Sequence, residues 1–101
     1  MDAVNAIAKV RFGSARPQRI LLSHSDGLTS ELLCLEAAQE FHVTGGEWVY
    51  YVVTGTAAVT SGQDRATLPA GQFAALSRDE KHTLANAGEG RLICLAVGRE
   101  K

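Results

Sequence analysis

The chain has 101 residues, of which 46% are hydrophobic and 21% are charged. This is the profile of a globular protein with one hydrophobic core, so we expect one domain over residues 1–101. The net charge is −1 with neutral histidines. Nucleic acids and anionic membranes both require a basic surface, so we expect neither as a partner. The N-terminal segment MDAVNAIAKVRFG lacks the apolar core of a signal peptide, and we expect a cytoplasmic protein.

Short apolar segments separated by turn signals follow one another along the chain. The N-terminal residues Met1–Ala8 are compatible with either a short helix or an extra strand. No amphipathic helix is convincing, and about eight to ten strands at this spacing predict an all-β sandwich or barrel. The strands with defined predicted bounds are Ile20–Ser23, Ser30–Glu36, Trp48–Thr54, Thr56–Thr60, Arg65–Leu68, Gln72–Leu76, His82–Asn86 and Arg91–Val97.

The segment Trp48–Thr54 has two apolar faces. Alternation along a strand places Trp48, Tyr50 and Val52 on one face and Val49 and Tyr51 on the other. One face fills the interior, and the other needs a cover. In a chain this short a partner subunit can supply that cover, so we predict a homodimer that buries part of a sheet face.

The two cysteines lie in similar apolar strands, LLCLE around Cys34 and LICLA around Cys94. Free cysteines are commonly buried, so we expect two reduced, buried thiols. A disulfide between Cys34 and Cys94 remains possible if their two strands are neighbours. No CxxC spacing is present, which argues against a redox or metal role for them.

Two histidines lie at strand edges, each at a fixed distance from a glycine. His42 opens the segment HVTGGEWVYYVVTG, which ends at Gly55. His82 and Asn86 close the segment GQFAALSRDEKHTLAN, which starts at Gly71. This arrangement suggests two strands that deliver imidazoles into one cavity.

These segments resemble the two motifs of the cupin superfamily, and the resemblance covers about residues 32–97. The second motif reads Gly, five residues, Pro-x-Gly, two residues, His, three residues, Asn. Gly71, His82 and Asn86 match it, while Ser77 and Asp79 replace the Pro and the Gly.

The first motif reads Gly, five residues, His-x-His, three or four residues, Glu, six residues, Gly. With the three-residue spacing, His42 and Gly55 match it. Glu36, Thr44 and Trp48 then stand where the family has the first Gly, the second His and the Glu.

The resemblance implies a cupin-like jelly-roll β-barrel, or double-stranded β-helix, in which two antiparallel sheets enclose one pocket. In metal-binding cupins three His and one Glu hold iron, manganese, zinc or nickel. On that pattern His42 and His82 are candidate metal ligands, and Glu47 is a candidate third ligand. A one-residue shift turns a strand side chain to the other face, so Glu47 needs a bulge or a rearranged Gly45-Gly46 turn to take part. His24 could supply another imidazole. A pocket that binds no metal is an alternative of equal weight.

We expect the pocket to be lined by His42, Thr44, Trp48, Tyr50 and His82. The Trp48 ring either offers a stacking face to a ligand or fills the core. Three functions remain open. The first is binding of a small molecule in a barrel with a degenerate metal site. The second is a metal-dependent oxygenase or isomerase that acts on a small organic acid or sugar. The third is a structural or interaction module with an occluded pocket.

Overall fold

The fold consists of β-strands arranged in two antiparallel sheets. The computed structural model describes residues 1–77 and 79–100, so Arg78 of the polar loop after the seventh strand lies outside the described part. The described residues form nine strands. Their bounds are Gln18–Ser25 (β1), Leu28–Leu35 (β2), Glu40–Val43 (β3), Glu47–Thr54 (β4), Thr56–Ser61 (β5), Asp64–Pro69 (β6), Phe73–Leu76 (β7), His82–Asn86 (β8) and Leu92–Arg99 (β9).

The strands pair in the orders β1-β2-β9-β4-β7 and β3-β8-β5-β6, and every pairing is antiparallel. The two sheets enclose a common core, which gives the jelly-roll barrel that the sequence predicts. The bounds of β3 could not be read from the sequence, because four residues with two apolar positions are too short to show a period. No helix among the described residues is long and apolar enough to cross a membrane.

Strand β4 divides its side chains between the interior and the outer surface, as alternation predicts. Trp48, Tyr50 and Val52 are buried in the main core, while Val49 and Tyr51 are exposed on the outer face. The strand therefore contributes the two large aromatic rings of the barrel interior.

The N-terminal segment covers the outer face of the five-stranded sheet near β1 and β2. Its only regular element within the described residues is a short 3-10 helix over Ile7–Lys9. The extra strand considered for Met1–Ala8 is not formed, and the helix covers only the end of that range. A second apolar cluster forms beneath this segment. It comprises Ile20, Leu32 and Cys34, with Ala6, Val10, Phe12, Leu22 and Ile93 packed against them.

The two cysteines lie on neighbouring strands but on opposite faces of the sheet. Cys34 pairs with Ile93 and Cys94 pairs with Leu33, so the two residues are offset by one position. Cys94 belongs to the barrel interior and Cys34 to the outer cluster. Both are free thiols. The disulfide left open by the sequence is therefore excluded in this fold, because the two side chains point apart.

Candidate functional site

Strand β3 directs His42 away from the barrel interior. In the pairing of β3 with β8, His42 lies opposite Thr83 and Val43 lies opposite His82. Successive strand residues point to opposite faces, so His42 and His82 do not face one cavity. The His42 side chain is 73% exposed, and its Nε2 lies 3.1 Å from the Glu40 carboxylate. The prediction that both imidazoles enter one pocket is therefore wrong.

The inward side chains of β3 are Phe41 and Val43, which are half-buried and pack against the core. With four residues between the second His and the Glu, the first motif places its three ligands at Phe41, Val43 and Trp48. His82 supplies the fourth position from the second motif. With this spacing, the side chains at all four ligand positions point toward the barrel interior. Three of the four ligand positions therefore carry hydrocarbon or indole groups.

His82 is buried, and both of its ring nitrogens have partners within the protein. Nδ1 lies 2.8 Å from the carbonyl oxygen of Glu80, so it donates a hydrogen bond there. Nε2 lies 2.6 Å from the hydroxyl of Tyr50. In the neutral imidazole this pattern makes Nε2 the acceptor of the Tyr50 proton.

Tyr50 is almost fully buried, and its ring meets the His82 ring edge-on with 5.4 Å between the centroids. Burial raises the pKa of the Tyr50 hydroxyl well above its ordinary value. The phenol therefore stays neutral and remains a hydrogen-bond donor. The Trp48 ring lies nearly parallel to the Tyr50 ring, with 6.4 Å between the two centroids.

Trp48 is held in place by the turn that precedes β4. Its indole Nε1 donates to the carbonyl oxygen of Gly45 at 3.3 Å. Gly46 has a φ of 95°, and a Cβ there would lie 2.9 Å from the indole nitrogen. The Asp79 amide donates to the carbonyl oxygen of Gly46 at 2.8 Å, which ties the loop before β8 to the same turn.

Glu47 does not reach the interior. It is exposed, lies on the face of β4 opposite to Trp48, and pairs in register with Arg99. His24 is exposed on β1, where Nδ1 lies 2.9 Å from the hydroxyl of Thr29. Within residues 1–77 and 79–100, no three His, Cys, Asp or Glu side chains come together as a possible metal site. The predicted ligand set of His42, Glu47 and His82 is not assembled, and the donors present do not fit a transition metal.

The open space of the site consists of a small inner cavity and a larger outer cleft. The inner cavity has a volume of about 30 Å³ and is bordered by Leu33, Phe41, Val43, Trp48 and Tyr50 together with Arg19, Glu31 and His42. The outer cleft has a volume of about 270 Å³ and is bordered by Arg19, His42, Val43, Thr44, Gly45, Trp48 and Glu100. We call the place where the two spaces meet, at Arg19, His42, Val43 and Trp48, the barrel mouth.

The predicted pocket residues are therefore spread over three places. Trp48 borders both spaces, Tyr50 borders only the inner cavity and Thr44 only the outer cleft. His42 borders both spaces from their exposed rim, whereas His82 borders neither and is hydrogen-bonded to Tyr50.

Arg19 and Glu31 belong to the site but were not predicted from the sequence. Nη2 and Nε of Arg19 lie 2.6 Å and 3.1 Å from Oε1 of Glu31. In the register of β1 and β2, Arg19 lies opposite Leu33, so Arg19 and Glu31 are diagonal neighbours on one face. A signal was present in the sequence, because alternation places Glu31 on the same face as Leu33 and Leu35.

Asn86 of the second motif holds the loop before β9. Its side-chain amide donates to the carbonyl oxygens of Leu35 and Gly90, and its side-chain oxygen accepts the amide of Gly88. The role of Asn86 in this chain is therefore structural.

A family model described as a cupin domain matches residues 34–98, well over half of the chain. The chain belongs to the cupin family. No curated protein matches this cupin.

Solved structures with the same fold cover almost the whole chain. The protein TT1209 from Thermus thermophilus superposes with a TM-score of 0.88 at 19% identity, over 100% of both chains. An uncharacterised conserved protein with a double-stranded β-helix domain from Klebsiella pneumoniae gives 0.85 at 20% identity, over 98% of this cupin and 90% of that protein. An RmlC-like cupin from Desulfovibrio desulfuricans gives a TM-score of 0.79 at 19% identity, over 97% of this cupin and 96% of that protein. At these identities the likeness shows the fold alone.

Proposed function

We propose that this cupin binds a small molecule at its barrel mouth and that it does so without a metal ion. The observation that carries the proposal is the meeting of the outer cleft with the inner cavity beside Trp48 and Arg19. Pockets for small molecules are concave and mostly apolar, with a few polar groups that fix orientation. Trp48 and Val43 provide the apolar part of the mouth, and Arg19 provides a polar group.

The volumes limit where the ligand lies. Small-molecule pockets commonly have volumes of roughly 300–1,000 Å³. The outer cleft, at about 270 Å³, lies near the lower end of that range, whereas the inner cavity, at about 30 Å³, has room for little more than water. The ligand therefore occupies the cleft, and it enters the barrel only if a side chain at the mouth moves.

The metal-free part of the proposal rests on the ligand positions of the motif. Phe41, Val43 and Trp48 offer no atom that binds a transition metal well, and the Nε2 atom of His82 is engaged by Tyr50. A metal-dependent oxygenase or isomerase would need metal-binding side chains at these positions, and the residues present do not supply them. The alternative of a structural module with an occluded pocket is favoured by one observation, the small volume of the inner cavity.

A fragment screen tests the proposal. Trp48 is the only tryptophan of the chain, so intrinsic fluorescence reports directly on the barrel mouth. We expect at least one fragment to change the Trp48 emission and to raise the melting temperature, because a ligand that binds only the folded state stabilises it.

Two substitutions locate the binding. Thr44→Arg places a long side chain in the outer cleft and is expected to abolish the response. Thr67→Arg adds the same side chain at an exposed position of β6, which lies at the edge of the four-stranded sheet opposite to β3 and does not border the cleft. It is expected to leave binding unchanged. A screen without any binder, or binding that survives Thr44→Arg, would overturn the proposal.

Metal analysis tests the part of the proposal that concerns binding without a metal ion. Protein purified without a polyhistidine tag is expected to contain no stoichiometric metal, and Fe²⁺, Mn²⁺, Zn²⁺ or Ni²⁺ is expected to leave its melting temperature unchanged relative to EDTA. A stoichiometric metal that is lost in His82→Ala would contradict the metal-free mode of binding.

We also propose that the protein forms a homodimer through the outer face of its five-stranded sheet. Val49 and Tyr51 of β4 and Phe73 of β7 are exposed there. Tyr51 lies opposite both Phe73 and Leu95 in the sheet register, so these side chains form a continuous apolar surface. Extended apolar surfaces of this kind are typical of interaction sites.

For its location we propose the cytoplasm. Cys34 and Cys94 are both free thiols, which suits a reducing compartment. With a net charge of −1, we propose no nucleic-acid or membrane partner. Fractionation of cells that express the chain tests the location, and recovery in a membrane or extracellular fraction would contradict it.

A further inference from the structure

A positively charged side chain is already seated at the barrel mouth. The guanidinium of Arg19 contacts the carboxylate of Glu31, with Nη2 2.6 Å from Oε1, and its Cζ lies 5.9 Å from the centre of the Phe41 ring. A carboxylate together with an aromatic face is the usual environment for an organic cation. The mouth is thus already arranged around a cation that belongs to the protein.

Glu31 is the fixed half of this arrangement. Its side chain is only 9% exposed, while that of Arg19 is 46% exposed. A buried carboxylate requires a partner, because its desolvation is costly unless an opposite charge compensates for it. Both hydrogen bonds from Arg19 end on Oε1, which leaves Oε2 as a further acceptor.

Arg19 is the movable half. It lies on β1, an edge strand of the five-stranded sheet, and its long side chain borders both the inner cavity and the outer cleft. Rotation of this side chain into solvent would leave Glu31 and the Phe41 ring in place and would join the two spaces.

The remaining charges at the mouth favour a cation as the replacement. Glu100 lies 3.8 Å from Nη2 of Arg19, and Glu40 lies 3.1 Å from Nε2 of His42. Glu31 and Glu100 thus place two carboxylates beside the single guanidinium, and Glu40 adds a third negative charge next to His42 at the rim. Once Arg19 has left, the mouth repels anions and attracts cations.

We propose that the ligand of this cupin carries an organic cation, a guanidinium or a primary ammonium group, which binds to Glu31 and Phe41 by displacing Arg19. This inference rests on the proposed function and adds the ligand class to it. Arg19 acts as an internal competitor, so the measured affinity is the intrinsic affinity multiplied by the fraction of molecules in which Arg19 is displaced.

The test compares probes that share a chain length and differ in charge. Butylammonium, butyramide and butyrate, together with methylguanidinium, are titrated at constant ionic strength while Trp48 emission and amide chemical shifts are recorded. We expect both cations to bind at the mouth and butyrate to leave the spectra unchanged.

Substitutions separate the two halves of the site. Arg19→Met keeps an unbranched apolar stem and removes the competitor, so cation affinity is expected to rise about tenfold if Arg19 is seated in nine molecules out of ten. Glu31→Gln is expected to abolish cation binding. Arg65→Met removes a charge from an exposed position of β6 and is expected to change nothing.

Arg19→Met leaves the Glu31 carboxylate without its partner, so its stability is measured as well. If the variant is unstable, millimolar methylguanidinium is expected to raise its melting temperature by several degrees, while equimolar sodium chloride is not. Failure of that rescue, or weaker cation binding in a folded Arg19→Met, overturns the inference. Binding of butyrate or butyramide in preference to the cations also overturns the ligand class but leaves the proposed function intact. A complete lack of binding by these probes and by the wider fragment set removes both.

Discussion

The hydroxyl of Tyr50 lies 2.6 Å from Nε2 of His82 in the interior of the barrel. The Nδ1 atom of the same ring donates to the carbonyl oxygen of Glu80, so the imidazole is held from both sides by protein groups. His82 is the one ligand position of the cupin motifs that keeps its histidine here. Its imidazole has become part of a buried hydrogen-bond network that also includes Tyr50.

Tyr50→Phe is expected to destabilise the protein, because it removes the donor to a buried acceptor and leaves Nε2 of His82 without its partner. Such a loss costs about 1–3 kcal/mol in the free energy of unfolding. Urea denaturation measures it. Tyr51→Phe, one residue along β4 and exposed on the outer face, is the control and is expected to change stability little. Equal stability of Tyr50→Phe and wild type would show that the hydrogen bond contributes nothing to folding.

Gly98→Ala is expected to disturb the packing of Trp48. Gly98 lies opposite Trp48 in the sheet register, and an added Cβ would collide with the carbonyl oxygen of Glu47 and lie 2.6 Å from the indole ring. Overpacking of a well-filled core costs about 1–3 kcal/mol. Thermal unfolding should show the loss, and the Trp48 emission should shift. In Gly90→Ala the new Cβ meets no atom within 4 Å, so a similar loss in that variant would contradict this explanation.

Stability is expected to fall at alkaline pH because of Cys94. Burial raises the pKa of its thiol from 9.0 to about 12. Between these two values the unfolded chain releases the proton while the folded chain keeps it. The contribution to the free energy of unfolding is therefore fully present below about pH 9 and declines by up to about 1.4 kcal/mol per pH unit above it.

Urea denaturation of wild type and Cys94→Ala between pH 8 and pH 11 isolates this contribution. Burial also raises the pKa values of Cys34 and Tyr50, so the variant is expected to keep part of the decline. The prediction concerns the difference between the two proteins, which should shrink as the pH rises. A difference that is constant across this range would rule out the burial of Cys94 as a cause.

Phe73→Glu is expected to prevent formation of the proposed dimer. Phe73 is 64% exposed at the edge strand β7, and a charge there opposes burial against a second copy. Light scattering coupled to size exclusion is expected to give a dimer for wild type and a monomer for the variant. Leu21→Glu adds the same charge at 59% exposure on β1, the other edge strand of that sheet, and is expected to stay dimeric. A monomeric wild type in dilute solution would refute the homodimer.

Much of the barrel could be predicted from local patterns. Turn residues and strand alternation are properties of neighbouring residues, so strands such as β4 and β8 were placed within one residue of their observed bounds. The same alternation predicted that Trp48 and Tyr50 face the interior and that Val49 and Tyr51 face outward.

The site itself was decided by tertiary pairing. The sequence allowed two spacings within the first motif, and only the pairing of Val43 with His82 shows that Phe41 and Val43, rather than His42, point inward. A shift of one residue exchanges the two faces of a strand, so a local pattern of four residues could not make this choice.

The sequence by itself determined the fold family and the aromatic character of the interior, because both follow from motifs and alternation within short segments. The tertiary structure alone decided that His82 pairs with Tyr50 and that Arg19 meets Glu31. These partners lie on different strands, and only the sheet register and the closure of the barrel bring their charged and polar atoms within hydrogen-bonding distance.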